Sequence, residues 1–494
     1  MKLRLGWVGL MLALVSGCAS SRAMCPREGG QPWSEARSQH FRVQTNLPPQ
    51  AARQAALELE KLRRAVLLAW GPDFDPDGSV DVIILRNDAE LEEFSQGHYR
   101  GFSATTPDGP LLVMAGNGHA LDAGPSRDLQ THELAHDLSR RVLMRQPRWL
   151  SEGLAQYLET TYVDESTGEA VLGQADTQSL LYVREHGWLD LDELWEWELK
   201  KSLSKKEVQS HYASSWLWVH YLINMYPQRF DEFQMRLAQA EAPRAAWDAA
   251  FRSVVDLRGS LGTYATRGIY AILTQPLPPI SSEVTVRELD TASVHAARAR
   301  IFMHSPDRRT PQETLRVARA EVSQGGKEDP YSVSNAVLVA RLHPQPQQFL
   351  ALTRTLVRTH PEDGRAWDLL AQYLDPVGDA SLREQAHVRA AALRPQDVYV
   401  LVRLAEHYNR TNQLEKGLAV ARGAVKLAPD SPSALAAHAN LAFRLDDCVT
   451  ALKLQYRALD MLHESTSTAF REKLEARLQT YERECNANRA RSGP

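Results

Sequence analysis

The chain of 494 residues contains only four cysteines: Cys18, Cys25, Cys448 and Cys485. None has the Cys-x-x-Cys spacing, which excludes zinc knuckles and dithiol redox motifs. The net charge of -4 and the pI near 6.5 give no basis for nucleic-acid binding. No apolar run beyond residue 20 is long enough to span a membrane. The remaining composition is ordinary for a globular protein, and the length suffices for two or three domains.

The N-terminal residues form a targeting signal rather than a folded element. Basic residues precede an apolar run over Leu5–Val15, which is too short for a spanning helix. The following Val15-Ser16-Gly17-Cys18 resembles a bacterial lipobox. This implies a signal peptide over 1–17 and lipidation of Cys18; the alternative is a plain secretory signal with an incidental cysteine. Ala19 does not resemble an inner-membrane retention signal, so we expect a lipid anchor in the outer membrane of a bacterial cell envelope.

The most informative stretch is Thr131–His136, which contains the pattern His-Glu-x-x-His. On a helix, His132 and His136 project from one face and can bind one metal ion. Glu133 lies beside the first histidine, where its carboxylate can act as a general base on a water molecule. A catalytic zinc takes three protein ligands and leaves one position open. A catalytic zinc bound by these two histidines would therefore need one further protein ligand.

Glu152 is the candidate for that third ligand. A second helical pattern, roughly 147–161, follows the histidine helix after a short break and carries Glu152 near its start. The two patterns predict a helical hairpin on which all three ligands converge. The alternative is a surface helix with two unrelated histidines and a solvated glutamate.

These residues resemble the gluzincin metallopeptidases. Glu152-Gly153-Leu154-Ala155-Gln156-Tyr157 matches the setting of the gluzincin glutamate ligand, and the closest resemblance is to the peptidase MA-like group. It covers about 39–268 and implies an α+β zincin-like catalytic domain over 39–274 that binds Zn2+ and hydrolyses peptide bonds. Two features depart from the family: the spacer between His136 and Glu152 is shorter than in thermolysin-like enzymes, and Asp137 is charged where the signature is usually uncharged.

Several elements precede the histidine helix. Phe41–Thr45, Val80–Leu85 and Leu111–Ala115 read as strands, the second of them central, and 51–70 reads as a helix. The resemblance implies that the strand before the zinc helix, 111–116, is a sheet edge that pairs with the substrate backbone. The alternative is an ordinary edge without that role.

A further catalytic candidate lies downstream of Glu152. The segment His211-Tyr212-Ala213-Ser214-Ser215 contains a Tyr-x-x-Ser pattern similar to that of peptidase MA-like domains. Tyr212 can donate a hydrogen bond to the oxyanion of a tetrahedral intermediate. The alternatives are that His211 has this role or that Tyr212 only packs its helix.

The C-terminal part repeats with the tetratricopeptide period. Pro361, Pro395 and Pro429 are each 34 residues apart. We predict an all-α tetratricopeptide repeat solenoid over 291–485, in which a last helix caps the stack and 486–494 forms a tail. The repeats either bind a protein partner or pack against the catalytic domain.

Two segments lack periodicity and are predicted as connections. Residues 18–38 read as a tether from the lipid to the first domain, and 275–290 as a proline-rich linker. In the exported protein we expect a disulfide between Cys448, which opens the second helix of the last full repeat, and Cys485 on the capping helix. The alternative is two separate buried thiols.

Three classes of function fit these patterns. The first is a membrane-tethered zinc metallopeptidase that uses Glu133 as the base and its repeats to position a protein substrate. The second is a catalytically silent peptidase-fold scaffold that binds partners through its repeats. The third is a zinc hydrolase of a non-peptide substrate. Inactive relatives usually lose the base or a ligand, and all four residues are present here, which favours the enzyme.

Overall fold

The computed structural model describes residues 22–492, except 77, 96–100, 107–108, 117–124, 144, 201–202, 240, 255, 268–269, 307–308, 343–345, 375–378 and 463–467. The predicted signal peptide over 1–17 and the lipidation site Cys18 lie outside the described residues. Within the described part of the chain, no helix combines the length and apolar character needed to cross a membrane.

The N-terminal region contains nine strands and ten α-helices, counted over the described residues. The strands are β1 (Ser34–Arg37), β2 (Phe41–Thr45), β3 (Val80–Leu85), β4 (Gly101–Thr106), β5 (Gly109–Ala115), β6 (Tyr162–Asp164), β7 (Glu169–Leu172), β8 (Leu273–Pro276) and β9 (Thr285–Glu288). The helices are α1 (Pro49–Leu67), α2 (Asp88–Ser95), α3 (Pro125–Val142), α4 (Arg148–Glu159), α5 (Thr177–His186), α6 (Leu191–Trp195), α7 (Lys205–Met225), α8 (Pro227–Ala238), α9 (Pro243–Phe251) and α10 (Leu257–Arg267).

A mixed six-stranded sheet organises this region, in the order β4-β5-β3-β2-β1-β9. β3 runs parallel to β2 and β5, and the other neighbours are antiparallel. The prediction that β3 is central is confirmed. β6, β7 and β8 form a second, antiparallel sheet.

The prediction that 111–116 forms the sheet edge is wrong. β5 pairs with β3 on one side and with β4 on the other, so β4 is the edge strand on this side of the sheet. β4 carries small and polar residues (Ser103, Ala104, Thr106), which an exposed edge tolerates, whereas β5 is a continuous apolar run suited to an interior strand.

The two faces of the sheet are covered by different parts of the chain. Side chains alternate along a strand, so Val82 and Ile84 of β3 pack with α1, α3 and α4. Ile83 and Leu85 point to the opposite face. There they contact a helix of the C-terminal region. The C-terminal region therefore packs directly against the sheet of the N-terminal region.

The C-terminal region is an all-α repeat region. Its described helices are α11 (Thr291–His304), α12 (Pro311–Glu328), α13 (Val333–Leu342), α14 (Pro346–Thr359), α15 (Gly364–Tyr373), α16 (Ala380–Leu393), α17 (Val398–Arg410), α18 (Leu414–Leu427), α19 (Pro432–Arg444), α20 (Cys448–Asp460) and α21 (Thr468–Ser492). Consecutive helices contact each other as tetratricopeptide-like pairs in α11/α12, α15/α16, α17/α18 and α19/α20, and α21 packs against α20. α11 is the helix that covers the back of the sheet, through Val294, Ala297 and Ile301.

Three predicted connections are structured instead. The tether, 18–38, contains β1, and its Trp33 is fully buried against the back of the sheet. The linker, 275–290, contains the end of β8 and all of β9, both edge strands, where a proline such as Pro276 is tolerated. The tail, 486–494, continues α21 as far as Ser492. In the linker, the composition suggested coil because the pairing partner of β9 is β1, which lies far away in the sequence.

Candidate metal centre

α3 and α4 form the predicted helical hairpin and bring three donors together. His132 and His136 lie one turn apart on α3, and their Nε2 atoms are 3.2 Å apart. The Oε2 atom of Glu152, on α4, lies 3.2 Å from Nε2 of His136 and 3.6 Å from Nε2 of His132. One donor atom from each residue therefore lies within bonding range of a single cation.

The other ring nitrogens of the two histidines are held by polar partners. Nδ1 of His132 lies 2.9 Å from Oε2 of Glu159, and Nδ1 of His136 lies 3.0 Å from Oγ of Ser151. A carboxylate that accepts from Nδ1–H leaves the lone pair on Nε2, which is the tautomer that a metal requires. Oε2 of Glu152 is buried and has no hydrogen bond. A buried oxygen without a donor between two ring nitrogens fits a bound cation.

The charges of the site favour a cation as well. Burial alone raises the pKa of Glu152, but contacts with His132 and His136 outweigh burial and hold it at about 2. Burial lowers the pKa of His132, but Glu152 and Glu159 outweigh it and raise the pKa to about 10. The two carboxylates thus stabilise positive charge at the histidines, whether it is a proton or a metal ion.

Glu133 points towards the edge strand. Its Oε2 accepts a hydrogen bond from the hydroxyl of Ser103 on β4. This contact holds the carboxylate between α3 and the sheet edge.

Tyr212 faces the site and His211 does not. Burial, and then the negative charge of Glu152, raise the pKa of Tyr212 well above its usual range, so its hydroxyl stays protonated. His211 is buried, with its ring 4.9 Å from that of Trp197 and Nδ1 2.7 Å from the carbonyl of Glu207. Of these two neighbours, only Tyr212 can act as a donor at the centre.

Close helix packing sets the position of Glu152. A Cβ atom at the next residue, Gly153, would lie 2.5 Å from the carbonyl oxygen of Ser215 and 2.6 Å from a methyl group of Val219, both on α7. The glycine therefore allows α4 and α7 to touch, and that contact sets Glu152 and Tyr212 side by side.

Asp137, the departure from the peptidase signature, turns away from the centre. Its carboxylate accepts from Arg141 at 3.0 Å, one turn along α3. The charge at this position is therefore neutralised within the helix and does not disturb the ligand set.

Sequence reasoning missed Glu159, Ser151 and Ser103. Glu159 lies two turns after Glu152, so the helical period places both on one face of α4, and that spacing was a usable signal. Ser103 had no comparable signal, because its contact with Glu133 depends on the pairing of β4 with β5.

A cavity of about 1640 Å³ lies away from this centre. One wall consists of β1 and the end of α3, and the other consists of the N-terminal ends of successive repeat helices. Asp363, Asp397 and Ser431 cap three of those helices with their side chains. Acidic and basic side chains both line the cavity, so it offers a polar surface of mixed charge.

Cys448 and Cys485 are joined in a disulfide, with Cα atoms 5.7 Å apart. The bond links α20 to α21 at the end of the stack. Cys25 is free and buried.

The fold and site together describe an α+β region with a His/His/Glu donor set, followed by tetratricopeptide-like repeats. A family model described as "Protein of unknown function (DUF1570)" matches residues 130–244, which include all three donors and Tyr212. A search of curated proteins finds no match.

Several solved structures, among them tetratricopeptide repeat proteins, match about a third of this chain. A thermophilic tetratricopeptide protein, TTC0263 of Thermus thermophilus, is 18% identical over 34% of this chain and 91% of its own, with a TM-score of 0.28. MamA of Desulfovibrio magneticus RS-1 is 18% identical over 36% of this chain and 97% of its own, with a TM-score of 0.27. YrrB, described as a TPR protein with an unusual peptide-binding site, is 14% identical over 35% and 88%, with a TM-score of 0.26.

Proposed function

We propose that the protein is a zinc metallopeptidase of the bacterial cell envelope, anchored by a lipid on Cys18. The observation that carries this proposal is the convergence of Nε2 of His132, Nε2 of His136 and the buried Oε2 of Glu152. Two nitrogens and one carboxylate oxygen are a donor set of catalytic zinc. Mass spectrometry of the N-terminal peptide tests the anchor: an unmodified Cys18 in membrane-bound protein contradicts it.

The residues around the donors suit hydrolysis of a peptide bond. Zinc, when bound, would activate water and polarise the substrate carbonyl. Glu133, oriented by Ser103, accepts the proton of the attacking water and delivers it to the leaving amine. The Tyr212 hydroxyl donates to the oxyanion. The edge strand β4 offers backbone groups to an extended peptide, the role that the sequence had assigned to β5.

Glu133→Gln tests this mechanism. The amide cannot act as a base, so turnover of a peptide library should fall about 10²–10⁴-fold. Zinc content, measured by elemental mass spectrometry, should stay unchanged, because the three donors remain. Asp137→Asn is the matched control on the same helix and should keep both activity and zinc. An ordinary rate in Glu133→Gln contradicts the mechanism.

Assays of zinc binding and hydrolysis on the wild-type protein distinguish between the alternative functions. Bound zinc with hydrolysis of esters or other non-peptide substrates, and none of peptides, indicates a zinc hydrolase of a different class. Bound zinc with no hydrolysis at all supports the silent scaffold.

A second role, protein binding by the repeats, is favoured by the cavity between the repeat helices and the sheet. We infer that it accepts a segment of a protein substrate. Gln396, which is exposed and lines the cavity, offers a test. Gln396→Trp should slow cleavage of folded protein substrates without affecting short peptides. Gln385→Trp, on the exposed surface of α16, is the control. Equal effects of the two variants contradict this role.

A further inference from the structure

A second group of metal-type donors lies at the back of the sheet, far from α3 in the sequence. Cys25, Glu28 and His295 each offer one donor atom, and the three atoms lie within 4.8 Å of one another. The thiol and the imidazole are buried, and Glu28 is exposed. We propose that these three residues form a second zinc-binding site, which joins the N-terminal segment to the first repeat helix, α11.

The backbone of the N-terminal segment is built to hold two of the donors. Pro26–Glu28 is a single turn of 3-10 helix that directly follows Cys25. In such a turn residues i and i+3 project from the same side, so Glu28 lies over Cys25. The amides of Glu28 and Gly30 both donate to the carbonyl of Cys25, at 2.9 and 3.0 Å, which closes the loop. A Cβ atom at Gly30 would lie 1.9 Å from the carbonyl oxygen of Met24, so this loop requires glycine.

The third donor has the same kind of support as the histidines of α3. Nδ1 of His295 lies 2.7 Å from Oε2 of Glu321 on α12. The carboxylate accepts a hydrogen bond from Nδ1–H, and this tautomer leaves the lone pair on Nε2. Arg298 fixes Glu321 in turn, with Nη2 and Nε at 2.8 and 3.1 Å from its Oε1.

The same arginine docks the N-terminal segment. Nη1 of Arg298 donates to the carbonyl of Ala23 at 2.5 Å, and Nη2 donates to Glu93 at 2.8 Å. Glu93 also accepts from the amide of Ala23 at 3.1 Å. The donors therefore come from segments that are already fixed, and the site does not need to form on binding.

The surroundings of Cys25 carry surplus negative charge. Glu321, Glu28 and Glu328 lie close to its thiol, and Arg298 is the nearby cation. A divalent cation would be attracted by these carboxylates and would take the thiolate as a ligand. Thiolate, imidazole and carboxylate together suit zinc, with water in the fourth position beside the exposed Glu28.

Cobalt substitution distinguishes this site from the candidate catalytic centre, which contains no sulfur donor. The test protein is the full chain, stripped with a chelator and reloaded with Co2+. We expect thiolate-to-cobalt charge-transfer absorption in the wild type and equally in a His132→Ala/His136→Ala variant, with about one cobalt ion per chain left in that variant. Cys25→Ser should abolish the band. If the protein proves to have no peptidase activity, the expected cobalt result stays the same.

Glu28→Gln and Glu328→Gln form a matched pair. Glu28 is a donor, whereas Glu328 lies in the same acidic cluster but pairs with Arg27. The first variant should weaken cobalt binding and the second should retain it. Absence of the charge-transfer band from the unmodified protein overturns the proposal without reliance on any variant, and Cys25 is then an ordinary buried thiol of the core.

Discussion

Two pairs of histidines in this protein have nearly the same distance between their rings, but the pKa shifts of His132 in one pair and His387 in the other have opposite directions. The rings of His132 and His136 are 4.8 Å apart on α3. Those of His387 and His407 are 4.9 Å apart between α16 and α17 of the repeats. Contacts with carboxylates raise the pKa of His132 to about 10 against the effect of burial. Burial, and then positively charged neighbours, lower the pKa of His387 to about 3.

The difference lies in what surrounds each pair. Glu152 and Glu159 approach the pair on α3, whereas both ring nitrogens of His407 are buried without a hydrogen-bond partner. Arginines 383, 403 and 410 add positive charge near His387. Proximity of two imidazoles is therefore not a sufficient sign of a metal site. Glu384 also lies near His407, but only the pair on α3 has carboxylates in contact with its ring nitrogens.

Glu152→Ala should have the largest effect. It removes a carboxylate from the histidine pair His132/His136, so that this pair resembles the pair His387/His407 of the repeats. It removes one of three ligands and the nearest negative charge, so zinc occupancy should fall from near-stoichiometric to a small fraction. Elemental analysis after gel filtration measures the change. Glu159→Gln keeps all three ligands and should weaken zinc binding only about 10–100-fold. Unchanged zinc content in Glu152→Ala rules out this residue as a ligand.

Removal of the disulfide should have the second largest effect, and this effect should be confined to the repeat region. Cys448 and Cys485 are 37 residues apart, and chain closure of that length contributes roughly 3–4 kcal/mol. Cys448→Ser/Cys485→Ser should lower the free energy of unfolding of the repeat region by that order, measured by urea denaturation. Zinc binding at α3 should not change. Two free thiols at these positions in unfolded, unreduced wild type would refute the bridge.

The third prediction concerns the neighbour of Glu152. Tyr212→Phe removes one hydroxyl and little packing, and loss of one oxyanion donor costs about 10²–10³ in rate. Turnover should fall by that factor while zinc content and thermal stability stay constant. His211→Ala serves as the comparison, since its side chain packs on Trp197. A wild-type rate in Tyr212→Phe with a large loss in His211→Ala would transfer the role to His211.

How much of this was predictable depends on the range of the contacts involved. The helical spacing of His132 and His136 and the position of Glu152 are local, so the sequence predicted the hairpin that brings them together. The 34-residue period likewise predicted the repeat region. The contacts of Ser103 with Glu133 and of Glu159 with His132 depend on how strands and helices pack, and no local pattern encodes them fully.

The errors have a common physical cause. Trp33, β1 and β9 lie in segments rich in glycine, proline or serine, and β9 forms by pairing with β1, which is distant in the sequence. α11 covers the back of the sheet although it carries the buried Arg298 and Arg300, which a search for apolar stripes rejects. Both are neutralised by carboxylates of the N-terminal region, Glu93 and Asp81. Buried charge pairs between distant segments are not visible in sequence periodicity.

The smallest predicted effect is the contribution of His387, in the repeat region, to the pH dependence of stability. His387 has a folded-state pKa of about 3, below the ordinary value of 6.5. Between these values the unfolded chain binds a proton that the folded chain does not, so acid favours unfolding. The contribution of this group to stability is complete above about pH 6.5 and is lost by about 1.4 kcal/mol per pH unit as the pH falls towards 3.

His387→Leu should therefore make the pH dependence of the repeat region shallower. The variant no longer titrates, so the fall in urea midpoint between about pH 7 and about pH 5 should shrink by the equivalent of one proton. His360→Leu is the control, because it replaces an exposed histidine of the repeat region with the same residue. Equal slopes in wild type and His387→Leu would mean that the buried ring accepts a proton in the folded state, and the electrostatic contrast with α3 would then be lost.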